Sequence, residues 1–218
     1  MENVVIWGAS GHARVVADIL RLRGEYQVVG FLDSIHPERR HTQFDGAEIL
    51  GGEEQLDELF QKGIRHLIVG IGNCEARLRC AELAKAQGFT LVSAIHPSAV
   101  IASSVTIGAG AVVAAGAIVN PGSVIGENVI INTSASVDHE CRIADGAHIC
   151  PGAHLAGKVT VGRGAWVGIG SSVIAGIHIG DGAYIGAGAA VIRDIPDYVV
   201  AYGNPARVKT NQTQDPDA

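Results

Sequence analysis

Residues 132–161 read NTSASV-DHECRI-ADGAHI-CPGAHL-AGKVTV, and each hexad closes on an aliphatic side chain: Val137, Ile143, Ile149, Leu155 and Val161. Two places before each stands Ala135, Cys141, Ala147, Ala153 or Val159. Followed outward in both directions, the aliphatic series runs without a miss from Ile95 to Val191, seventeen positions in all. A period of six is neither the 3.6 of a helix nor the 2 of a flat strand. It predicts a solenoid of short strands and tight turns, a three-sided parallel β-helix. The aliphatic residue points into the prism, and the small residue two places earlier fits near a corner. Gly108, Gly126, Asn128, Gly162, Gly168, Gly180 and Gly186 are assigned to corners, as suppliers of positive φ. One coil cannot bury its own apolar face, so coils must stack.

Composition agrees with a Gly-rich solenoid. Of 218 residues only 17% are charged and 5% aromatic, while 29 are Gly. A formal net charge of −6 argues against a nucleic-acid partner but leaves room for a small anionic ligand held by local donors. The four cysteines (Cys74, Cys80, Cys141, Cys150) form no CxxC pair, and Cys141 falls in the small-residue series as a packed thiol. That usage implies a reduced, cytoplasmic setting. No basic leader and no run of 18 apolar residues is read, so neither a secretion signal nor a membrane span is expected.

The first ninety residues follow other rules. Asn3 to Trp7 reads as a buried strand, Gly8 to His12 as a Gly-rich turn, and Ala13 to Arg23 as a helix. Strands follow at Gln27–Leu32, His66–Gly70 and Phe89–Ala94, with helices at Glu53–Lys62 and Glu75–Gln87. This alternation predicts a small, Rossmann-like parallel sheet, whose ligands sit beyond the C-terminal strand ends. Three loops meet there: Gly8–His12, Asp33-Ser34 and Gly72-Asn73. Free N–H groups at the start of the first helix suit a nucleotide diphosphate. Gly8, Ser10 and Gly11 do not complete GxGxxG, so a nicotinamide cofactor fits less well, and a purely structural turn stays open. The expected division is an α/β domain over 1–92, a β-helix over 93–208 and a flexible tail over 209–218.

Hexapeptide repeats ending in Gly203-Asn204-Pro205-Ala206-Arg207 resemble the hexapeptide acyltransferases. With Gly8-Ala9-Ser10-Gly11-His12, Ile95-His96-Pro97, Asn132-Thr133-Ser134 and Asp138-His139-Glu140-Cys141, the chain is similar to the NeuD-type bacterial sugar acetyltransferases from residue 3 to about 208. The resemblance implies a left-handed β-helix, a homotrimer, acetyl-CoA as donor and no metal. It implies a nucleotide-linked 4-amino-4,6-dideoxy sugar as acceptor, lying between the N-terminal domain and the β-helix; O-acetylation of a sialic-acid-like sugar is the alternative.

By that resemblance His139 is the general base and Glu140 raises its basicity. The chemistry is sound by itself: a sugar ammonium must lose a proton before it attacks a thioester, and imidazole titrates in the right range to take it. Neighbouring residues of a strand face opposite ways, so His139 and Glu140 meet only if the chain turns between them. His148 matches the position that contacts the acetyl group, Ile169 and Ala187 match positions lining the pantetheine groove, and Asn132 faces the thioester. Ser10, Gly11 and His12 match the substrate loop, Asp33 and Ser34 an acidic pair at the second strand end, and Gly72 the third. Ser34 replaces one of the family's two acids, which leaves base and sugar preference open.

The phase of His148, His154 and His178, one residue before an inward aliphatic, places all three on the outer surface. His148 and His154 also suggest the three-histidine zinc site of γ-type carbonic anhydrases, which share the prism. That reading requires side chains on consecutive sides to converge, and gives the α/β domain no purpose. A sugar-nucleotide-binding β-helix without activity is the non-catalytic alternative.

Overall fold

The computed structural model describes residues 1–211. The chain forms two compact units, Met1–Pro97 and a second beginning at Ser98. The first holds a six-stranded sheet of β1 (Glu2–Trp7), β2 (Tyr26–Leu32), β3 (Gln43–Phe44), β4 (Ala47–Gly51), β5 (His66–Val69) and β6 (Thr90–Leu91), in the order β3-β4-β2-β1-β5-β6. β1 lies between β2 and β5 and is parallel to both. The loops after these three strands therefore gather at one end of the sheet, where the strand order reverses.

Helix α1 (Gly11–Arg23) buries Ala13, Val16, Ala17, Ile19 and Leu20, and ends at Gly24 in the left-handed conformation, φ 68°. Each fully buried Val, Leu or Ile of such a face contributes about 1.5–3 kcal/mol. Helix α2 (Leu56–Gln61) is preceded by a 3₁₀ turn at Glu53–Gln55, and α3 (Cys74–Ala86) is capped by Asn73, whose side chain accepts from Ala76 N. Two features differ from the sequence reading. The hairpin β3–β4 is additional, its strands being too short for a periodic signal, and the run Phe89–Ala94 splits into Thr90–Leu91 and Ala94–Ile95.

The second unit is the three-sided parallel prism that the period demands. One side stacks Val112–Val113, Ile130–Ile131, His148–Ile149, Trp166–Val167 and Tyr184–Ile185. The next carries Ser136–Val137, His154–Leu155 and Ser172–Val173, and the third Arg142–Ile143, Thr160–Val161 and His178–Ile179. Residues eighteen apart pair in parallel register on every side. From Val113 to Val191 the aliphatic series is buried, as are the small residues two places earlier.

The corner glycines need a correction. From Ile107 to Ile185, left-handed backbone occurs three residues after each aliphatic, at Gly110, Gly116, Asn128, Ser134, Glu140, Gly146, Lys158 and their equivalents. Of the seven corner residues named from sequence, only Asn128 has positive φ. The six glycines directly after an aliphatic serve another need: a Cβ at Gly108 would lie 2.6 Å from Glu127 N, and one at Gly162 2.5 Å from Asp181 N. They allow the next coil to approach closely. At the C-terminal end Val199–Tyr202 pairs antiparallel with Arg207–Asn211. Lys209 to Asn211 of the expected tail are thus strand, and 212–218 lie outside the described residues.

Candidate active site

Asp138 to Cys141 form the corner between the second and third sides. Asp138 Oδ1 accepts from His139 N at 2.7 Å and from Asn120 Nδ2 at 3.0 Å. Ser123 Oγ donates to Asp138 O at 2.7 Å and accepts from Cys141 N at 3.0 Å. So pinned, the chain turns at Glu140, whose φ of 58° is left-handed. That conformation costs a non-Gly residue about 1–2 kcal/mol. It also brings two adjacent side chains together: His139 Nδ1 lies 3.1 Å from Glu140 Oε2. The sequence condition for their meeting is met.

One coil further on, Gly157 makes room for the imidazole, since a Cβ there would stand 2.5 Å from His139 Cε1. Lys158 Nζ lies 3.8 Å from the same Glu140 oxygen. With His139 and Glu140 53% and 59% exposed, that lysine contact contributes little to stability.

A second cluster occupies the first side and the edge that follows it. His148 faces outward as its phase requires but is only 4% exposed, which corrects the expectation of a surface histidine. The Trp166 ring covers it, edge-on at 4.4 Å and 66°, and Trp166 stacks on Tyr184 at 5.7 Å and 6°. Asn132 Nδ2 lies 3.0 Å from His148 Nε2. Ile169 (58% exposed) and Ala187 stand in one column on the edge beyond. Trp166 and Tyr184 were missed in the sequence, although His148, Trp166 and Tyr184 share one phase at intervals of eighteen.

The other two outer histidines belong elsewhere. His154 lies on the second side with Nδ1 2.8 Å from Ser136 Oγ, and His178 on the third, its N–H donating to Asp194 Oδ1 at 2.8 Å. His148 and His154 therefore occupy different sides and do not converge.

In the N-terminal unit the three expected loops come together at the strand ends. Ser10 is the exposed residue before α1, and Gly11 opens the helix. His12 is half-buried; loss of solvent, then the Arg77 guanidinium, pull its pKa down to about 4, so it is neutral near pH 7. Arg77 is fully buried and donates to the carbonyls of Ile71 at 2.9 Å and Gly72 at 2.7 Å, which shapes the third loop.

Asp33 and Ser34 are spent inside the fold. Asp33 Oδ1 accepts from Ile35 N at 3.0 Å and His36 N at 3.1 Å, and Oδ2 from Arg39 Nη1 at 2.7 Å. Ser34 Oγ accepts from Trp7 Nε1 at 3.2 Å. Arg39 also reaches Ala9 O at 3.0 Å, beside the Gly-rich turn. Arg39 and Arg14 both lie over the Phe44 ring, at 5.4 and 5.0 Å. These cations went unnoticed because the β3–β4 hairpin that carries Phe44 had no sequence signal.

A β-helix of hexapeptide repeats is the architecture of the bacterial hexapeptide transferases, and comparison with known proteins bears out that class. Residues 3–84 match the PglD N-terminal domain, and residues 158–193 match the bacterial transferase hexapeptide (six repeats). Perosamine N-acetyltransferase from Caulobacter crescentus, solved with CoA and GDP-perosamine, is 42% identical over 96% of this chain and 98% of that chain, with a TM-score of 0.91. The acetyltransferase domain of PglB from Neisseria gonorrhoeae, solved with acetyl coenzyme A, is 37% identical over 95% of this chain and 99% of that chain, with a TM-score of 0.89. WeeI from Acinetobacter baumannii, 24% identical over 96% of this chain and 100% of that chain with a TM-score of 0.85, shares the fold. Comparison with curated proteins finds no match. The chain belongs to the NeuD-type family of hexapeptide-repeat sugar acetyltransferases, and its second unit is a left-handed β-helix. No helix among the described residues is long and apolar enough to cross a membrane.

Proposed function

We propose that this protein transfers acetyl from acetyl-CoA to the 4-amino group of a nucleotide-linked 4-amino-4,6-dideoxy sugar, with His139 as general base. The observation that carries the reading is the 3.1 Å contact between His139 Nδ1 and Glu140 Oε2 at an exposed edge. An ionised carboxylate only accepts, so it holds the proton on Nδ1 and leaves the Nε2 lone pair for the substrate. Nε2 takes a proton from the sugar ammonium and passes it to solvent. The free amine attacks the thioester carbon, Nε2 takes a second N–H proton as the C–N bond forms, the C–S bond breaks, and the imidazolium gives that proton to the CoA sulfur. The identity to perosamine N-acetyltransferase supports an amine over a hydroxyl acceptor, and a GDP-linked sugar first among nucleotides.

His148, Asn132, Ile169 and Ala187 are assigned to the acetyl-CoA side. They occupy the first side and its far edge, whereas His139 stands one edge further round the prism. One copy therefore does not direct both histidines at a single thioester, and the reading requires a second copy, as a closed homotrimer supplies. Ser10, Gly11, His12 and Gly72 line the nucleotide loops, and Asp33 acts there by holding Arg39. A cytoplasmic setting is part of the same proposal, supported by the acetyl-CoA donor it assigns.

The test is thiol release from acetyl-CoA with GDP-, UDP- and TDP-linked 4-amino-4,6-dideoxy sugars and free sialic acids, using wild type and His139→Ala. Turnover of one nucleotide amine, about 10²–10⁴-fold slower in the variant, is the expected result. Turnover of sialic acid alone moves the assignment to O-acetylation.

A further inference from the structure

We propose that Asn132 locks His148 as a neutral imidazole with its proton on Nδ1, making His148 a hydrogen-bond donor and never a second base. The assignment follows from which groups can only donate. The backbone N–H of Thr133 lies 2.8 Å from one terminal atom of the Asn132 amide, so that atom is Oδ1. Thr133 Oγ1 approaches the same atom at 3.4 Å. The other terminal atom is therefore Nδ2, which can only donate, and it lies 3.0 Å from His148 Nε2. Two N–H groups cannot share one hydrogen bond. Nε2 must carry its lone pair, and the ring proton belongs to Nδ1.

Packing holds the ring to that choice. His148 is 4% exposed and wedged edge-on against Trp166, which Tyr184 backs by stacking. Turning the imidazole over would set Cε1 against Nδ2 and leave that amide without its acceptor. Protonating Nε2 would set two donors face to face.

His139 reaches the same tautomer by a different route and for a different purpose. There the lone pair on Nε2 is kept for an incoming proton, because the carboxylate sits on Nδ1. At His148 the lone pair is already used by Asn132, and the one ring proton sits on Nδ1. In the acetyl transfer proposed above, on which this second half rests, that donor suits the oxygen that gains charge as the thioester is attacked. Asn132 is a positioning residue in this scheme, acting through His148.

The experiment is a long-range ¹H–¹⁵N correlation on protein labelled in its nine histidine rings, near pH 7, with His148 assigned by the signal lost in His148→Gln. The expected spectrum shows His148 neutral and protonated on Nδ1. Asn132→Asp replaces the donor with an acceptor, and His148 should then carry a proton on Nε2, with kcat falling about 10–100-fold and KM for acetyl-CoA changing much less. A wild-type His148 protonated on Nε2, or on both nitrogens, overturns the proposal, as does an unchanged tautomer in folded Asn132→Asp. If that variant does not fold, the wild-type spectrum alone decides. The spectrum needs no acceptor sugar: a correct tautomer with a silent acceptor panel sinks the functional reading, and turnover with a wrong tautomer sinks only this one.

Discussion

His12 in the α/β unit and His139 on the edge of the β-helix show how two regions of one chain set the same side chain in opposite surroundings. His12 is half-buried beside the Arg77 guanidinium, and both influences disfavour its charged form. His139 is half-exposed, with Nδ1 3.1 Å from a Glu140 carboxylate oxygen, the setting in which it is proposed to act as a base. Burial and partner charge set the chemistry, and residue type alone does not.

The largest effect expected from this contrast concerns His12. Its folded pKa of about 4 lies below the ordinary 6.5, so the unfolded chain binds more protons between those values. Stability that is complete above pH 6.5 is therefore lost as pH falls towards 4, by about 3 kcal/mol. Unfolding of wild type and His12→Asn at pH 7 and pH 4 measures it, with the difference cancelling the carboxylates common to both. Equal losses in the two proteins would break the contrast.

Next comes the partner of His139. Glu140→Gln keeps the shape and removes the charge, and kcat should fall about 10–100-fold with acetyl-CoA KM little changed. Unchanged kcat would mean that the carboxylate only decorates the corner. The smallest effect tests the room around the ring. Gly157→Ala places a methyl where the imidazole lies, and kcat should drop about tenfold, with the melting temperature nearly unmoved because the displaced His139 side chain is 53% exposed and can swing away. A large loss of melting temperature instead would assign Gly157 to coil packing.

Much of the β-helix was legible because every side repeats one rule, an inward aliphatic each sixth residue, and no tertiary contact overrides it. The glycine assignments show where the rule ends. Gly108 and Gly162 look like turn glycines in sequence, but the neighbouring coil, eighteen residues away, is what forbids a side chain there. His139 and Glu140 came forward as a pair through the family resemblance, and the left-handed turn at Glu140 that brings them together was seen only in the structure. The hairpin β3–β4 was not readable, and with it went the roles of Arg39 and Phe44.

The sequence by itself determined the prism, the α/β unit before it, and the corner that carries His139, because hydrophobic period and turn position are local properties. Only the tertiary structure decided that His148 is buried under Trp166, that Asp33 is saturated by Arg39 and two backbone N–H groups, and that Asn132 donates to His148. Burial and hydrogen-bond direction depend on atoms that reach the site from other coils and loops, and no window of sequence contains them.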